Sequence, residues 1–228
     1  MTAIVALTAQ NTVGVTDVHE VPPPFIRAQL SALFDDIGVD AAKTGMLFSQ
    51  AIVETVADFL AARPVPLVVD PVMVASSGAK LLRDDAVETL VERLFPLATV
   101  VTPNLPEAEA LAGLPDAPRR VLAERLHELG APAVIVTGGH GEDAVDHLFD
   151  GSRHVEIPVE RFDVAATHGA GCTHSATLAA LFARGLEHEE AARGAAEAAG
   201  AAVRSGLTDI GAGEGPVDML RIRDRAPV

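Results

Sequence analysis

At 228 residues with 49% apolar side chains, the chain carries enough apolar material for one sizeable α/β domain built on a single core. Its formal net charge of −15, with lysine only at Lys43 and Lys80, and its lack of Trp and Tyr exclude a general basic or stacking surface for nucleic acid. Apolar runs stop well short of the roughly 20 residues that span a bilayer, no basic leader is present, and one cysteine permits no intramolecular disulfide, so a cytoplasmic location is expected.

Short β-branched runs alternate with longer helical patterns, the order of a mostly parallel sheet covered by helices. Residues 3–7 read as a strand and 22–37 as a helix with Phe25, Ile26, Leu30, Leu33, Phe34 and Ile37 on one face. A short strand at 39–43 precedes a helix that Ser49 caps and that runs to Ala62. The buried strand 67–70 is stopped by Pro71, a loop passes Ser76, Ser77 and Gly78, and a helix covers 84–95. Strand 99–102 is halted by Pro103, and Asn104 opens a helix ending near Gly113. Helix 119–130 leads to strand 133–137, which ends at Gly138-Gly139. Segments 144–149 and 153–157 flank Asp150-Gly151-Ser152 as a hairpin. Helices at 172–184 and 188–205 follow, with a frayed tail after about Gly211.

The segment Thr167-His-Gly-Ala-Gly-Cys-Thr-His-Ser175 carries the most chemical information, because a glycine-bracketed loop runs into a helix and holds the only cysteine. Gly169 and Gly171 permit a tight turn, and the first amides of a helix lack intrahelical acceptors, so the loop suits a phosphate oxygen. The helix dipole should lower the pKa of Cys172 and raise its thiolate fraction. The competing reading is a plain connector with a small buried thiol. Neither a Walker A sequence nor a full Gly-x-Gly-x-x-Gly is present. Ligands of open α/β sheets bind beyond the carboxyl ends of the strands. There Lys43 to Met46, Asp70, Thr102 to Glu107 and Thr137 to Gly139 should meet the Cys172 loop.

Six blocks in order, Ala9-Gln-Asn-Thr12, Lys43-Thr-Gly-Met-Leu47, Asp70-Pro-Val-Met73, Thr102-Pro-Asn-Leu-Pro-Glu-Ala108, Thr137-Gly-Gly-His140 and His168-Gly-Ala-Gly-Cys172, resemble the hydroxymethylpyrimidine/phosphomethylpyrimidine kinases. The resemblance implies a ribokinase-like three-layer sandwich with a mostly parallel central sheet, forming one kinase domain over 1–228. It also implies ATP-dependent phosphorylation of 4-amino-5-hydroxymethyl-2-methylpyrimidine and then of its monophosphate, in thiamine biosynthesis, with Mg2+. By the same resemblance Gln10 hydrogen-bonds the aminopyrimidine, while Met46 and Val72 wall its pocket. Asn104, Glu107, Thr137 and Gly139 serve the ATP phosphates, and Asp70 with Glu107 the magnesium ion. Cys172 takes the hydroxyl proton, with the amides of Gly169, Ala170 and Gly171 holding the transferring group. Small-molecule substrates and a homodimer are implied as partners.

Some positions depart from the family. Thr137 stands where many members have lysine, and Ala170 where threonine is common; the backbone amides survive both changes. Relative to the family, a first strand, its Gly-Ser-Asp turn and a glycine-rich helix precede the equivalent of Met1, so apolar surface is expected on strand 3–7 and nearby helices. Alternatives are a pyridoxal or pyridoxine-type kinase, or a non-catalytic pyrimidine-binding protein. An acidic, lysine-poor surface also matches adaptation to high salt.

Overall fold

The computed structural model describes residues 1–75, 77–139 and 144–225; Ser76 of the predicted loop and His140 of the Thr-Gly-Gly-His block lie outside them. Six strands form the central sheet in chain order: β3 (Ala42–Thr44), β4 (Leu67–Val69), β5 (Val100–Val101), β6 (Val134–Val136), β7 (Val145–Phe149) and β8 (His154–Pro158). Strands β3 to β6 run parallel, whereas β7 and β8 form the predicted antiparallel hairpin beside β6. Strands β4, β5 and β6 are short and wholly apolar because both faces are covered.

Side chains alternate between those faces. Val69, Val101, Val134, Val136 and Phe149 meet helices α2 (Gln50–Ala62), α3 (Asp84–Leu94), α4 (Leu105–Ala112) and α5 (Arg119–Glu128) through residues such as Ile52, Leu90, Ala108 and Leu122. Val68, Val100, Ile135, Leu148 and Ile157 meet α6 (Ala170–Ala183) and α7 (His188–Arg204) through Leu178, Phe182, Ala191 and Ala195. The alanines of α7 let it lie close to α6 and the sheet. This is the three-layer sandwich expected from the alternation of elements.

Two regions differ from the sequence expectation. The first strand is β1 (Ala6–Gln10), shifted from 3–7, and it pairs with β2 (Val15–Glu20) in a separate antiparallel ribbon that the pattern did not reveal. The alternation in β2 is interrupted by polar residues because only one side of the ribbon is partly covered. Apolar exposure at this end is present as expected: Ile4, Leu7, Val13 and, on α1 (Pro23–Ala32), Phe25 face solvent. The segment after Gly211 is not frayed up to Asp218. Gly215 N–H donates to the Ala165 carbonyl, His168 N–H to Gly215 and Val217 N–H to His168, so the segment braces the loop before α6.

Candidate active site

The register of β3 on β4, Thr44 opposite Val69, brings Lys43 and Asp70 to the same sheet end. Asp70 is the first residue beyond β4 and is 6% exposed. The Ser175 hydroxyl donates to Asp70 Oδ2 at 2.8 Å and accepts from Lys43 Nζ at 3.3 Å, while Lys43 Nζ lies 3.7 Å from the same carboxylate oxygen. Burial raises the pKa of Asp70, opposed by Lys43 and by the Ser175 hydrogen bond. Ser175 follows Cys172 by one helical turn and approaches its carbonyl at 3.3 Å, so the Lys43–Ser175–Asp70 group sits directly under the loop.

The loop turns directly into α6. Gly169 is the N-cap of α6 with φ of 91°, a left-handed conformation that β-carbons resist. Ala170 N–H donates to the Thr167 carbonyl and Thr173 N–H to Gly169. Gly171 and Cys172 are the second and third residues of α6, positions whose N–H groups have no acceptor within the helix. Gly171 itself has ordinary helical backbone and no atom within 4 Å of where a β-carbon would stand, so its role is an open approach rather than a turn.

Cys172 is exposed, yet its thiol pKa is raised, not lowered as the helix dipole alone predicts. Desolvation by the protein packed around the loop is the main cause; Asp70 and Glu107 push the same way, and Lys43 opposes them. Burial, not charge, therefore decides the direction, with Lys43 the largest opposing influence.

Across the rim, Asn104 and Glu107 form a complete capping box at the start of α4. Asn104 Oδ1 accepts from Glu107 N–H at 2.9 Å and Glu107 Oε2 from Asn104 N–H at 3.0 Å. Glu107 Oε1 also accepts from Met73 N–H at 3.2 Å, which ties the loop after β4 to α4. Burial pushes the Glu107 carboxyl up to about 7, against these two backbone hydrogen bonds and with help from Asp70. Thr137 bridges to Asn104 and its hydroxyl faces the Pro103 carbonyl at 3.4 Å. Gly139 is exposed, with nothing within 4 Å of a built β-carbon.

Of the pyrimidine-binding candidates, Gln10 is exposed at the end of β1, its Nε2 3.5 Å from His168 Nε2, so the ribbon end lies against the loop before α6. Met46 and Val72 are half-buried, just beyond β3 and β4. Asp70 and Glu107 are hard oxygen donors near one another, but no group of three His, Cys, Asp or Glu among the described residues makes a metal cage. That donor set fits a hydrated magnesium held largely by phosphates. A separate cavity of about 380 Å³ between the β8 exit and α7, lined by Phe162, Glu197 and Arg204 among others, contains none of these residues.

Lys43 and Ser175 were not assigned roles from sequence. Lys43 carried a signal, being one of two lysines in so acidic a chain and standing at a strand end. Ser175 carried none, since only the packing of α6 over β3 and β4 shows which way it points.

A mostly parallel sheet between two helical layers, with a glycine-capped helix start and an acid–lysine cluster at its carboxyl rim, defines a ribokinase-like α/β fold. A pyridoxal kinase of Bacillus subtilis, solved with ADP, superposes with a TM-score of 0.86 at 37% identity, covering 97% of this chain and 87% of that one. A phosphomethylpyrimidine kinase of Clostridium difficile gives 0.75 at 36%, covering 86% and 83%. The family model for phosphomethylpyrimidine kinase matches residues 1–218, and the chain belongs to that family. A hydroxymethylpyrimidine/phosphomethylpyrimidine kinase of Haemophilus influenzae is 44% identical over 95% of this chain and 84% of its own length. A bifunctional thiamine biosynthesis protein of Geobacter sulfurreducens is 46% identical over 97% of this chain, which spans 47% of that longer protein.

Proposed function

We propose that the chain transfers the γ-phosphoryl group of ATP to the hydroxymethyl oxygen of 4-amino-5-hydroxymethyl-2-methylpyrimidine and then to the phosphate of the monophosphate formed. The observation that carries this reading is the start of α6, whose first-turn residues Gly171 and Cys172 lie within one turn of Ser175 in the Lys43–Ser175–Asp70 group, in a chain of this family. Names of related proteins support the substrate class.

In the first step the hydroxymethyl oxygen bonds to the γ-phosphorus as the bond to the β-phosphate bridging oxygen breaks, and ADP leaves. The hydroxyl proton passes to the Cys172 thiolate. The Gly171 and Cys172 amides meet the equatorial oxygens of the transferring group, where negative charge stays high. Lys43 neutralises Asp70 and favours the thiolate form of Cys172. Asp70 and Glu107 would help hold a magnesium ion, which would supply charge neutralisation for the phosphates. Asn104, Thr137 and Gly139 face the remaining phosphates, whereas Gln10, Met46 and Val72 orient the pyrimidine. In the second step the acceptor is already an anion, so no base is required.

A second reading is kept by one observation: the pyridoxal kinase of Bacillus subtilis superposes at 0.86, above the 0.75 of the phosphomethylpyrimidine kinase. ADP release measured with the pyrimidine alcohol, its monophosphate and pyridoxal, with products identified by phosphorus NMR, separates the two. The proposal expects kcat/KM for the pyrimidine alcohol to exceed that for pyridoxal by at least about tenfold, a differential of about 1.4 kcal/mol. A higher value for pyridoxal sinks it. Binding of the pyrimidine without any ADP release establishes a non-catalytic protein instead.

A further inference from the structure

The β6–β7 junction contains a buried polar link that the mechanism above does not use. Asp146, on β7 and 3% exposed, accepts a 2.6 Å hydrogen bond from Gly138 N–H with Oδ1. Its Oδ2 lies 3.2 Å from Nε2 of His174, which is 4% exposed and stands on α6 two residues after Cys172. The histidine contact is a close approach rather than an aligned hydrogen bond. Gly138 is pressed onto the Val145 backbone so closely that a β-carbon would come within 2.4 Å of the Val145 carbonyl oxygen.

One carboxylate therefore holds two segments that approach the rim from different parts of the chain. Gly138 directly precedes Gly139 and follows Thr137, while His174 belongs to the first turns of the helix whose amides face the transferring phosphate. Both attachment points are buried, so their separation is set by this contact and not by solvent. A nucleotide spanning both loops needs that separation fixed in advance, since a shift of about 1 Å between donors costs on the order of 100-fold in such sites.

We propose that Asp146 is a positioning residue, fixing the Thr137–Gly139 loop relative to the α6 amides for the polyphosphate of ATP. The proposal rests on the nucleotide reading above. His174 is the second member of the strut.

The variants Asp146→Ala, Asp146→Asn and His174→Leu test this in the full chain, with calorimetric binding of a non-hydrolysable ATP analogue and of the pyrimidine alcohol, and exchange of the Gly138 amide proton. Asn retains an acceptor for Gly138 and a polar group facing His174. The expected result is at least tenfold weaker analogue binding for Asp146→Ala, recovery to within threefold for Asp146→Asn, and pyrimidine affinity within twofold throughout. Asp146→Ala should also speed Gly138 exchange. If Asp146→Ala does not fold, Asp146→Asn and His174→Leu decide the matter: His174→Leu should weaken the analogue three- to tenfold with unchanged pyrimidine affinity. Equal loss in Asp146→Ala and Asp146→Asn, parallel loss of both ligands, or unchanged analogue binding in Asp146→Ala or His174→Leu overturns the proposal. If the wild-type chain binds no ATP analogue, the nucleotide reading fails, and Gly138 exchange still reports whether the strut holds the loop.

Discussion

Cys172 illustrates how a residue's role depends on charges distant in sequence. A helix start favours the thiolate, but the packing around the loop and two buried carboxylates hold the thiol above its ordinary pKa. The base form is then a minority at neutral pH. For the first phosphorylation, kcat should rise with pH from 7 to 9 without a plateau, and Cys172→Ser should flatten the profile while lowering kcat about 100-fold and leaving ATP affinity within threefold. A plateau near pH 7 would assign the proton to another group. Glu107 gives a stability signature in the ligand-free protein. Its folded pKa of about 7 lies above the ordinary 4.5, so the native state binds this proton more tightly than the unfolded chain. That contribution is complete below pH 4.5 and is lost as pH rises through 7, about 3 kcal/mol in total. Urea melts of Glu107→Gln should show that fall removed between the two pH values.

Among the elements, the start of α6 depends on backbone conformation more than on side chains. Gly169 has a positive φ, and a β-carbon there would make only an ordinary 3.6 Å contact with Val217. The penalty for Gly169→Ala is therefore conformational, about 1–2 kcal/mol, and should appear as a lower urea midpoint together with weaker ATP binding. The start of α4 is different, because Asn104 and Glu107 fully account for each other as a capping box. Their placement beside Thr137 is what makes them candidates for phosphate and magnesium as well. Sequence located this helix start at Asn104 after Pro103, whereas it missed β2, whose six residues carry no clean alternation and pair with β1.

For the whole molecule, 32 acidic residues against 17 basic ones create a repulsive field that folding concentrates on a smaller surface. Several ion pairs, such as Arg27–Asp58 and Lys80–Asp84, are solvent-exposed and offset little of it. Raising KCl from 0.05 to 1 M should increase the urea midpoint as screening shortens the Debye length from roughly 14 to 3 Å. A midpoint that does not move argues against a salt-adapted surface. The exposed apolar residues of the β1 ribbon and α1 will gain from the same change only to the extent that they bury surface.

Local pattern determined the alternation of short strands and helices, the Asp-Gly hairpin, the capping box of α4 and the glycine loop before α6. Each of these is written within a few neighbouring residues, where turn chemistry and hydrophobic period act. Six short blocks in order also identified the family, since their joint spacing is far more specific than any one of them. Only the tertiary structure decided that Lys43, Asp70 and Ser175 form one cluster, that Asp146 reaches both Gly138 and His174, and that the Cys172 thiol is held up. Those properties come from burial and from groups that packing brings together from separate elements, up to 132 residues apart for Lys43 and Ser175, and no hydrophobic period or turn motif encodes them.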